Sequence, residues 1–562
     1  MKQDQSAASE PQAFHVADWV VDVASNRIRR GDTEFKLESK MMGVLACLAR
    51  RPGEVVSRED LEQAVWNGRL VSCDVLTVCV NKLRKTLGDD PRRPRYIETI
   101  AKKGYRLIAV VAPDVPANPA AVTPLATPAP AKTITRRAWP AAAVAAGIAI
   151  LALAQFFGRE PIVEPFADDA GLPALAVLPF DNLNHDPEHD YLSDGLTADI
   201  TTALSGNAEL FVIANPSVLA YKSQSIDAPR VADALGVRYV LQGTVQRIDA
   251  RLRVNAQLAD AHTGVYLWAE RYDRDVKDVF EVQDDIVARI VDALAVKLTA
   301  EEKQRMARRY TASVDAYDAF LRGQTFFSHR TPDDNRLARA AYEQAVALDP
   351  NFARAYAALA LTHTHDFRFG WSASPNESLE HAYKLARKAV ELDDQLPQAQ
   401  WVLGHVQLHR HAFAQARQAA QQAIRLNPNF ADGYMALANS MVFTGDAEGA
   451  LPLIRKAMRL NPRYPAQYAE ILGQAYYFLD RNEDAVTALR DATERNANLL
   501  PSYVFLAAAL SGLGDLSEAR WTADQLLTLR PNFQSSDVPE MFPIENPTKV
   551  AMIVERLRQV GL

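Results

Sequence analysis

The spacing of apolar positions changes character several times along the 562 residues. In LESKMMGVLACL, residues 37–48, Leu37, Met41, Val44, Leu45 and Leu48 recur at helical intervals and predict one buried face. Pro52-Gly53 ends that helix. Ser57 predicts the cap of a second helix, with Asp60 at its third position as a short version of a capping box. A third helix is predicted over roughly 74–87. Its apolar stripe is Leu76, Val80, Leu83 and Leu87. Asp74, Val78, Asn81, Lys82 and Lys85 fall on the opposite face, with Arg84 at the flank. YIETI and GYRLIA then read as two strands joined by AKKG, which carries Lys102 and Lys103 at its tip.

Residues 1–11 and 112–171 have no such periodicity. Residues 1–11 are polar, with no signal-peptide core, and read as a disordered N-terminus. Residues 112–137 are rich in Pro and Ala and predict an extended linker. AWPAAAVAAGIAILALAQFF, 138–157, has no charged residue and is long enough to span a bilayer's hydrocarbon as a helix. Pro140 falls in its first turn, where proline is tolerated. Lys132, Arg136 and Arg137 precede it; Arg159, Glu160, Glu164, Asp168 and Asp169 follow, in a second linker at 158–171. The positive flank predicts a cytoplasmic N-terminus and a periplasmic C-terminus, a single pass through the cell inner membrane. A buried helix of a soluble protein is the alternative.

Residues 172–300 mix both periods. LPALAVLPF, ELFVIAN, RYVLQGTVQRI, RLRVNAQLAD and VYLWAERYD are strand-like, the third and fourth as a hairpin. DGLTADITTALS predicts a helix capped by Asp194. EVQDDIVARIVDALAVKL is an amphipathic helix with Val282, Ile286, Ile290, Leu294 and Leu298 on one face. From 312 to 531 the pattern is helical and repetitive, punctuated by LDP (348–350), LNP (426–428), LNP (460–462) and LRP (529–531). Pro428 and Pro462 are 34 residues apart, and Ala416, Ala423 and Ala450, Ala457 fall at matching places. This resembles the tetratricopeptide repeat, an all-α solenoid of helix pairs. About six repeats are counted, the second enlarged around THTHDFRFGWSASPNES. A last helix within 546–562 caps the stack.

Charge changes the picture. The chain carries a net −7, yet residues 80–107 hold nine basic side chains against three acidic ones. Residues 1–137 sum to +6 and the rest to −13. A basic end on an acidic chain points to a polyanion as its partner. The three cysteines, Cys47, Cys73 and Cys79, all precede residue 80, which excludes a disulfide-stapled C-terminal half.

Three helices followed by a basic hairpin make a winged helix. LRKTLGDDPRRPRYIETIAKKGYRL, with VVSREDLEQAVW ahead of it, resembles the DNA-binding domain of OmpR/PhoB-type response regulators over residues 12–111. The resemblance implies that the third helix enters the major groove. Asn81 and Lys82 would then meet bases or phosphates, Arg84 and Lys85 would hold phosphates, and Val78 would lie on the same face. Thr99, Lys102, Lys103 and Tyr105 would belong to the wing's contact, and Trp66 would pack near a phosphate. Asp74 and Ala101 depart from the family pattern, which often has Arg there, and leave sequence preference open.

The order of winged helix, linker, span and outer domain resembles the CadC/ToxR-like one-component regulators. LAVLPFDNL, YLSDGLTADI and YVLQGTVQR resemble the TolB-like N-terminal module. The expected fold is thus multidomain: an α+β winged helix, one transmembrane helix, an α/β TolB-like module and a tetratricopeptide-repeat solenoid. The implied function is a membrane-anchored, non-enzymatic transcriptional regulator. Its partners would be double-stranded promoter DNA, bound as a homodimer, the inner membrane, RNA polymerase, and a protein or ligand at the repeats. No cofactor is called for. Two alternatives stay open: a soluble regulator whose repeats bind a cytosolic partner, and an enzyme using Asp181, Asp194 and His189.

Other candidates are weaker. His405 and His409 form an i, i+4 pair, with His411 nearby, a spacing that suits a metal; helices also expose such pairs. His363 and His365, with Phe367, Phe369 and Trp371, read either as a binding loop or as packing on their own repeat. DNLNHDPEHDYLSD holds His185 and His189 without a recognised ligand spacing, and a solvated loop is the plainer reading.

Overall fold

The computed structural model describes residues 13–113 except 24, 32, 38, 67–74, 90–93 and 101–103. It also describes 171–562 except 185–189, 220, 223–227, 297, 300, 301 and 303–308. The expected N-terminus, Pro/Ala-rich segment, span and second linker fall almost wholly outside these residues. The chain divides into two compact units, one built on the N-terminal domain and one on the C-terminal body.

The N-terminal domain opens with four short antiparallel strands: β1 (Ala13–Val16), β2 (Trp19–Asp22), β3 (Arg27–Arg30) and β4 (Thr33–Lys36). β8 (Val111–Pro113) closes the sheet against β1, in the order β4-β3-β2-β1-β8. Phe14, Val16, Trp19, Val21 and Ile28 are buried, and the Arg30 guanidinium lies 4.5 Å over the Trp19 ring. Three helices follow: α1 (Ser39–Ala49), α2 (Arg58–Trp66) and α3 (Val75–Leu87). The expected faces are inside: Leu37, Met41, Val44, Leu45 and Leu48, then Leu76, Val80, Leu83 and Leu87. The Ser57 hydroxyl accepts the Asp60 N–H at 3.0 Å, the predicted cap. β6 (Ile97–Ile100) and β7 (Gly104–Leu107) form the predicted hairpin, and β5 (Val55–Ser57) joins β7 from the other side.

The C-terminal body begins with a six-stranded sheet: β9 (Ala174–Val177), β10 (Asp181–Asn182), β11 (Phe211–Val212), β12 (Tyr239–Ile248), β13 (Arg251–Asp260) and β14 (Val265–Asp275). Its order is β11-β9-β12-β13-β14, with β10 beside β12. The first strands run parallel and the last three form an antiparallel meander. Six helix pairs follow, from Val314–Ser328 to Leu516–Leu529, then a capping helix at Pro547–Arg558.

Sheet and repeats share their cores. Leu196, Ile200 and Ile286 of the α/β part lie in one apolar cluster with Phe320, Tyr342 and Phe352 of the repeats. Asparagines fasten the same seam. Asn429 Nδ2 stands 2.9–3.0 Å from the carbonyl oxygens of Ser205, Asn207 and Leu210, and Asn461 Oδ1 accepts from the Ser217 hydroxyl at 2.5 Å. An Arg354–Asp199 ion pair of 2.5 Å, almost wholly shielded from water, adds to it.

Two expectations need correction. Among the described residues no helix is long and apolar enough to cross a membrane. The longest, Pro375–Leu392, has 18 residues but places Glu377, Glu380, Lys384, Arg387, Lys388 and Glu391 along its length. Among the described residues the fold is therefore winged helix, α/β module and helical solenoid, with no membrane helix; 138–157 lies outside them. Asp194 does not cap its helix, which starts four residues earlier and runs Asp190–Ser205. Inside it, Gly195 allows the close approach of Leu321, whose Cδ1 a Cβ there would meet at 2.5 Å.

Candidate nucleic-acid interface

Two elements carry the expected contact residues, the outward face of α3 and the β6–β7 hairpin. The polar charge of α3 increases toward its C-terminus, where Arg84 and Lys85 occupy the last turn and favour its partial negative charge. Lys85 is exposed and Lys82 half-buried. The Thr86 hydroxyl bonds back to the Lys82 carbonyl at 3.0 Å. Gly88, in the left-handed region at φ +71°, stops the helix, and the Asp89 N–H returns to the Arg84 carbonyl at 2.8 Å.

Arg84 differs from its expected role. It is only 5% exposed, and one terminal guanidinium nitrogen donates to the Ile97 carbonyl and the Thr99 hydroxyl, both at 2.8 Å. Its charge is spent inside the domain, between helix and wing, because α3 packs close enough for the side chain to reach β6. A phosphate contact by Arg84 is therefore replaced by an internal bond. Thr99 is exposed but its hydroxyl accepts from Arg84. Tyr105 is buried at 3% and belongs to the wing's core rather than to its surface. The side chains of Trp66, Val78 and Asn81, and Lys102 and Lys103 entirely, lie outside the described residues, as do Asp74 and Ala101.

The sequence reading missed two residues that hold this surface. The carboxylate of Asp89, 8% exposed, accepts three successive wing N–H groups, from Arg95 at 2.6 Å, Tyr96 at 3.2 Å and Ile97 at 2.9 Å. The signal was the Gly-Asp pair directly after a basic helix, a stop followed by an acceptor. Asp18, in the β1–β2 turn, accepts from the Tyr96 hydroxyl and pairs with Arg30 at 3.3 Å. That hydroxyl, with help from Arg30, holds the Asp18 carboxyl below the usual carboxylate range; burial, with Asp18 behind it, pushes Tyr96 up. On the wing, Arg106 pairs with Glu98 at 2.6 Å across the β6–β7 register. Gly104 has φ +144°, and a Cβ there would overlap the Val56 carbonyl oxygen.

The C-terminal candidates resolve into packing. His405 and His409 are perpendicular rings 5.0 Å apart, and among the described residues no three His, Cys, Asp or Glu side chains are grouped to hold a metal. Burial pushes His405 down to about 3 and His409 well below its ordinary value. The second-repeat insert is neither a free loop nor packed only on its own repeat. His365 stacks on Phe327 of the first repeat at 4.6 Å, Phe367 meets His409 of the third at 5.5 Å, and Phe369 packs on Ala466, Ala469, Ala492 and Leu499 of the fifth. Asp194 is bound by Lys222 Nζ at 2.8 Å, Asp181 is exposed, and His185 and His189 lie outside the described residues.

Comparison with known proteins agrees with this geometry. Residues 32–107 match the family described as "Transcriptional regulatory protein, C terminal", and residues 466–499 match the tetratricopeptide repeat. The chain is 37% identical over 97 residues to the transcriptional activator CadC of Escherichia coli, covering 17% of this chain and 19% of CadC. It is 23% identical over 468 residues to the transcriptional regulator HilA of Salmonella typhimurium, 83% of this chain and 73% of that one. It is also 42% identical over 248 residues to a protein of Rhizobium meliloti named putative adenylate cyclase 3, 44% of this chain and 42% of the other. That stretch is too long for the N-terminal domain alone. The chain thus spans less than half of two of these relatives.

Proposed function

From a chain that carries a response-regulator-type winged helix at one end and tetratricopeptide repeats at the other, we propose a transcriptional regulator. Its N-terminal domain binds double-stranded promoter DNA, with α3 in the major groove and the wing beside it. The match of residues 32–107 carries this reading. It is supported by the basic last turn of α3 and by a wing fixed to that helix. A regulator is also what the names of the CadC and HilA relatives say of those proteins. The C-terminal body receives a signal or a protein partner and changes how two copies associate. Pairing of two such domains on DNA raises affinity through effective concentration, and places the complex to contact RNA polymerase.

The experiment is cross-linking of tagged, full-length protein to DNA in cells, followed by immunoprecipitation and sequencing. A Lys82→Ala/Lys102→Ala chain is the control. Sharp promoter peaks that vanish in the control are the expected result; equal, flat enrichment in both refutes the reading. Protease accessibility of the C-terminal body in intact spheroplasts tells in which compartment it meets its signal.

A further inference from the structure

We propose that Arg84 is a positioning residue that makes helix and wing a single DNA-reading surface, rather than a residue that touches DNA itself. This rests on the DNA-binding reading above.

The sequence places Arg84 between Lys82 and Lys85, in the most basic stretch of the chain, where a solvent-facing phosphate contact is the obvious role. The structure turns it inward. Its side chain is nine-tenths buried, and its Nε has no hydrogen-bond partner among the described residues. A buried guanidinium is costly unless its donors are satisfied, so the two bonds it does make carry the weight of its position. Both acceptors lie on β6, the Ile97 carbonyl and the Thr99 hydroxyl, each at 2.8 Å. The donor is thus on the proposed recognition helix and the acceptors are on the wing.

A second contact reaches the same strand from the same place. Asp89, one residue past the helix stop, holds the N–H groups of Tyr96 and Ile97. Arg84 takes the Ile97 carbonyl while Asp89 takes the Ile97 N–H, so one wing residue is held by both of its flanking peptides from the end of α3. The two grips differ in what they fix. Asp89 anchors the start of β6, and Arg84 reaches two residues further, to Thr99, next to the 101–103 segment. Phosphate contacts fix register and orientation, and they cost less to make when their geometry is set before binding. A wing free to swing would have to be ordered on the DNA, at a loss of affinity. Arg84 removes that loss by ordering the wing in advance.

Lysine does not substitute. Its single ammonium is a point charge on a flexible stem, without the planar fork that meets a carbonyl and a hydroxyl from a set direction.

The test is a double-mutant cycle on DNA binding by the full-length chain, using a duplex selected by that chain. The cycle combines Arg84→Met with Lys102→Ala/Lys103→Ala. In the unaltered background, removing the two wing lysines should weaken binding and lower the salt slope by up to about two units. Arg84→Met alone should weaken binding about tenfold or more. In the Arg84→Met background, removing the lysines should then change affinity less than about twofold and leave the slope nearly unmoved, because their contact is already lost. Lys82→Ala should stay additive with Arg84→Met. Thr99→Val, a smaller change that keeps the fold, should reproduce part of the same coupling; it carries the test if Arg84→Met does not fold. Arg84→Lys should fall between the two.

Equal effects of the wing lysines in both backgrounds overturn the inference. So does an unaltered chain in which removing those lysines changes nothing, since Arg84 would then position no contact. An Arg84→Met chain that loses one unit of salt slope while remaining additive with the wing lysines also overturns it, in favour of direct phosphate contact. Failure of the unaltered chain to bind any duplex is a separate result, and it removes the DNA-binding reading itself.

Discussion

The Arg368 guanidinium stands 3.9 Å from the Glu470 carboxylate, joining the second repeat to the fifth across the inside of the solenoid. Beside it, Phe369 packs on four apolar side chains of the fifth repeat's region. At that distance, with Glu470 pushed up by burial, the ion pair adds little and the ring adds most. Phe369→Ala should therefore cost about 2 kcal/mol, and Glu470→Gln under about 1 kcal/mol. Urea midpoints of the full chain check the difference. Faster hydrogen exchange in 466–478 for the first variant alone would locate it.

Asn429 offers a sharper test of the seam between sheet and repeats. Its amide stands within hydrogen-bond range of three carbonyls around 205–210, and its Oδ1 accepts from the Val212 N–H at 3.3 Å. Asn429→Ala leaves those groups buried and unpaired, at a cost of about 2–3 kcal/mol. Urea unfolding followed by Trp fluorescence and by circular dichroism should lose its coincidence in this variant.

Acid should weaken the repeats. His363 is pushed down to about 4 and His405 to about 3, while His365 and His409 fall well below their ordinary value; burial is the first cause for each. Unfolded histidines take up protons below about 6.5, and these folded ones do not. Unfolding then binds protons, and stability falls as pH drops from 6.5 toward 4. Asp432 and Glu470, both raised by burial, act in the opposite direction above their ordinary values near 4. Four histidines outweigh two carboxyls. The urea midpoint should be lower at pH 5.5 than at pH 7, and His405→Gln should reduce the difference.

Gly104→Ala should disable the wing. The backbone there is left-handed, and a Cβ would overlap the Val56 carbonyl. Strain and the lost β5–β7 contact together predict a loss of about 2–4 kcal/mol for the N-terminal domain, read by thermal melting. DNA affinity should fall with it.

Much of this was legible in the sequence, for physical reasons that can be named. α1 and α3 carry unbroken apolar stripes, β13 alternates over its first eight residues, and the Ser57 hydroxyl caps α2. The first sheet escaped because RIRR and TEFK are four-residue strands with one large apolar residue each, too short for a period to show. The sequence points to a start at Asp194 for the 190–205 helix because Asp is a favoured N-cap residue; the helix instead begins at Asp190, with Gly195 inside it against Leu321. The resemblance implies a phosphate contact for Arg84, and helical spacing, which puts it at the flank, cannot tell a flank that meets solvent from one that meets a strand folded back later. Asn427 and Asn461 fall within the LNP marks of the repeats, and Asn429 directly follows the first of them. Their second use, fastening the α/β sheet, depends on contacts more than 200 residues apart in sequence.

The proposed role of the N-terminal domain depends on its basic helix and wing reading duplex DNA. The most direct measurement is selection of a random double-stranded pool by the full-length chain at two salt concentrations. A recovered consensus whose affinity falls steeply with salt, and which the Lys82→Ala/Lys102→Ala chain no longer enriches, is the predicted result. A pool that stays random, with retention unaffected by those two substitutions, contradicts it.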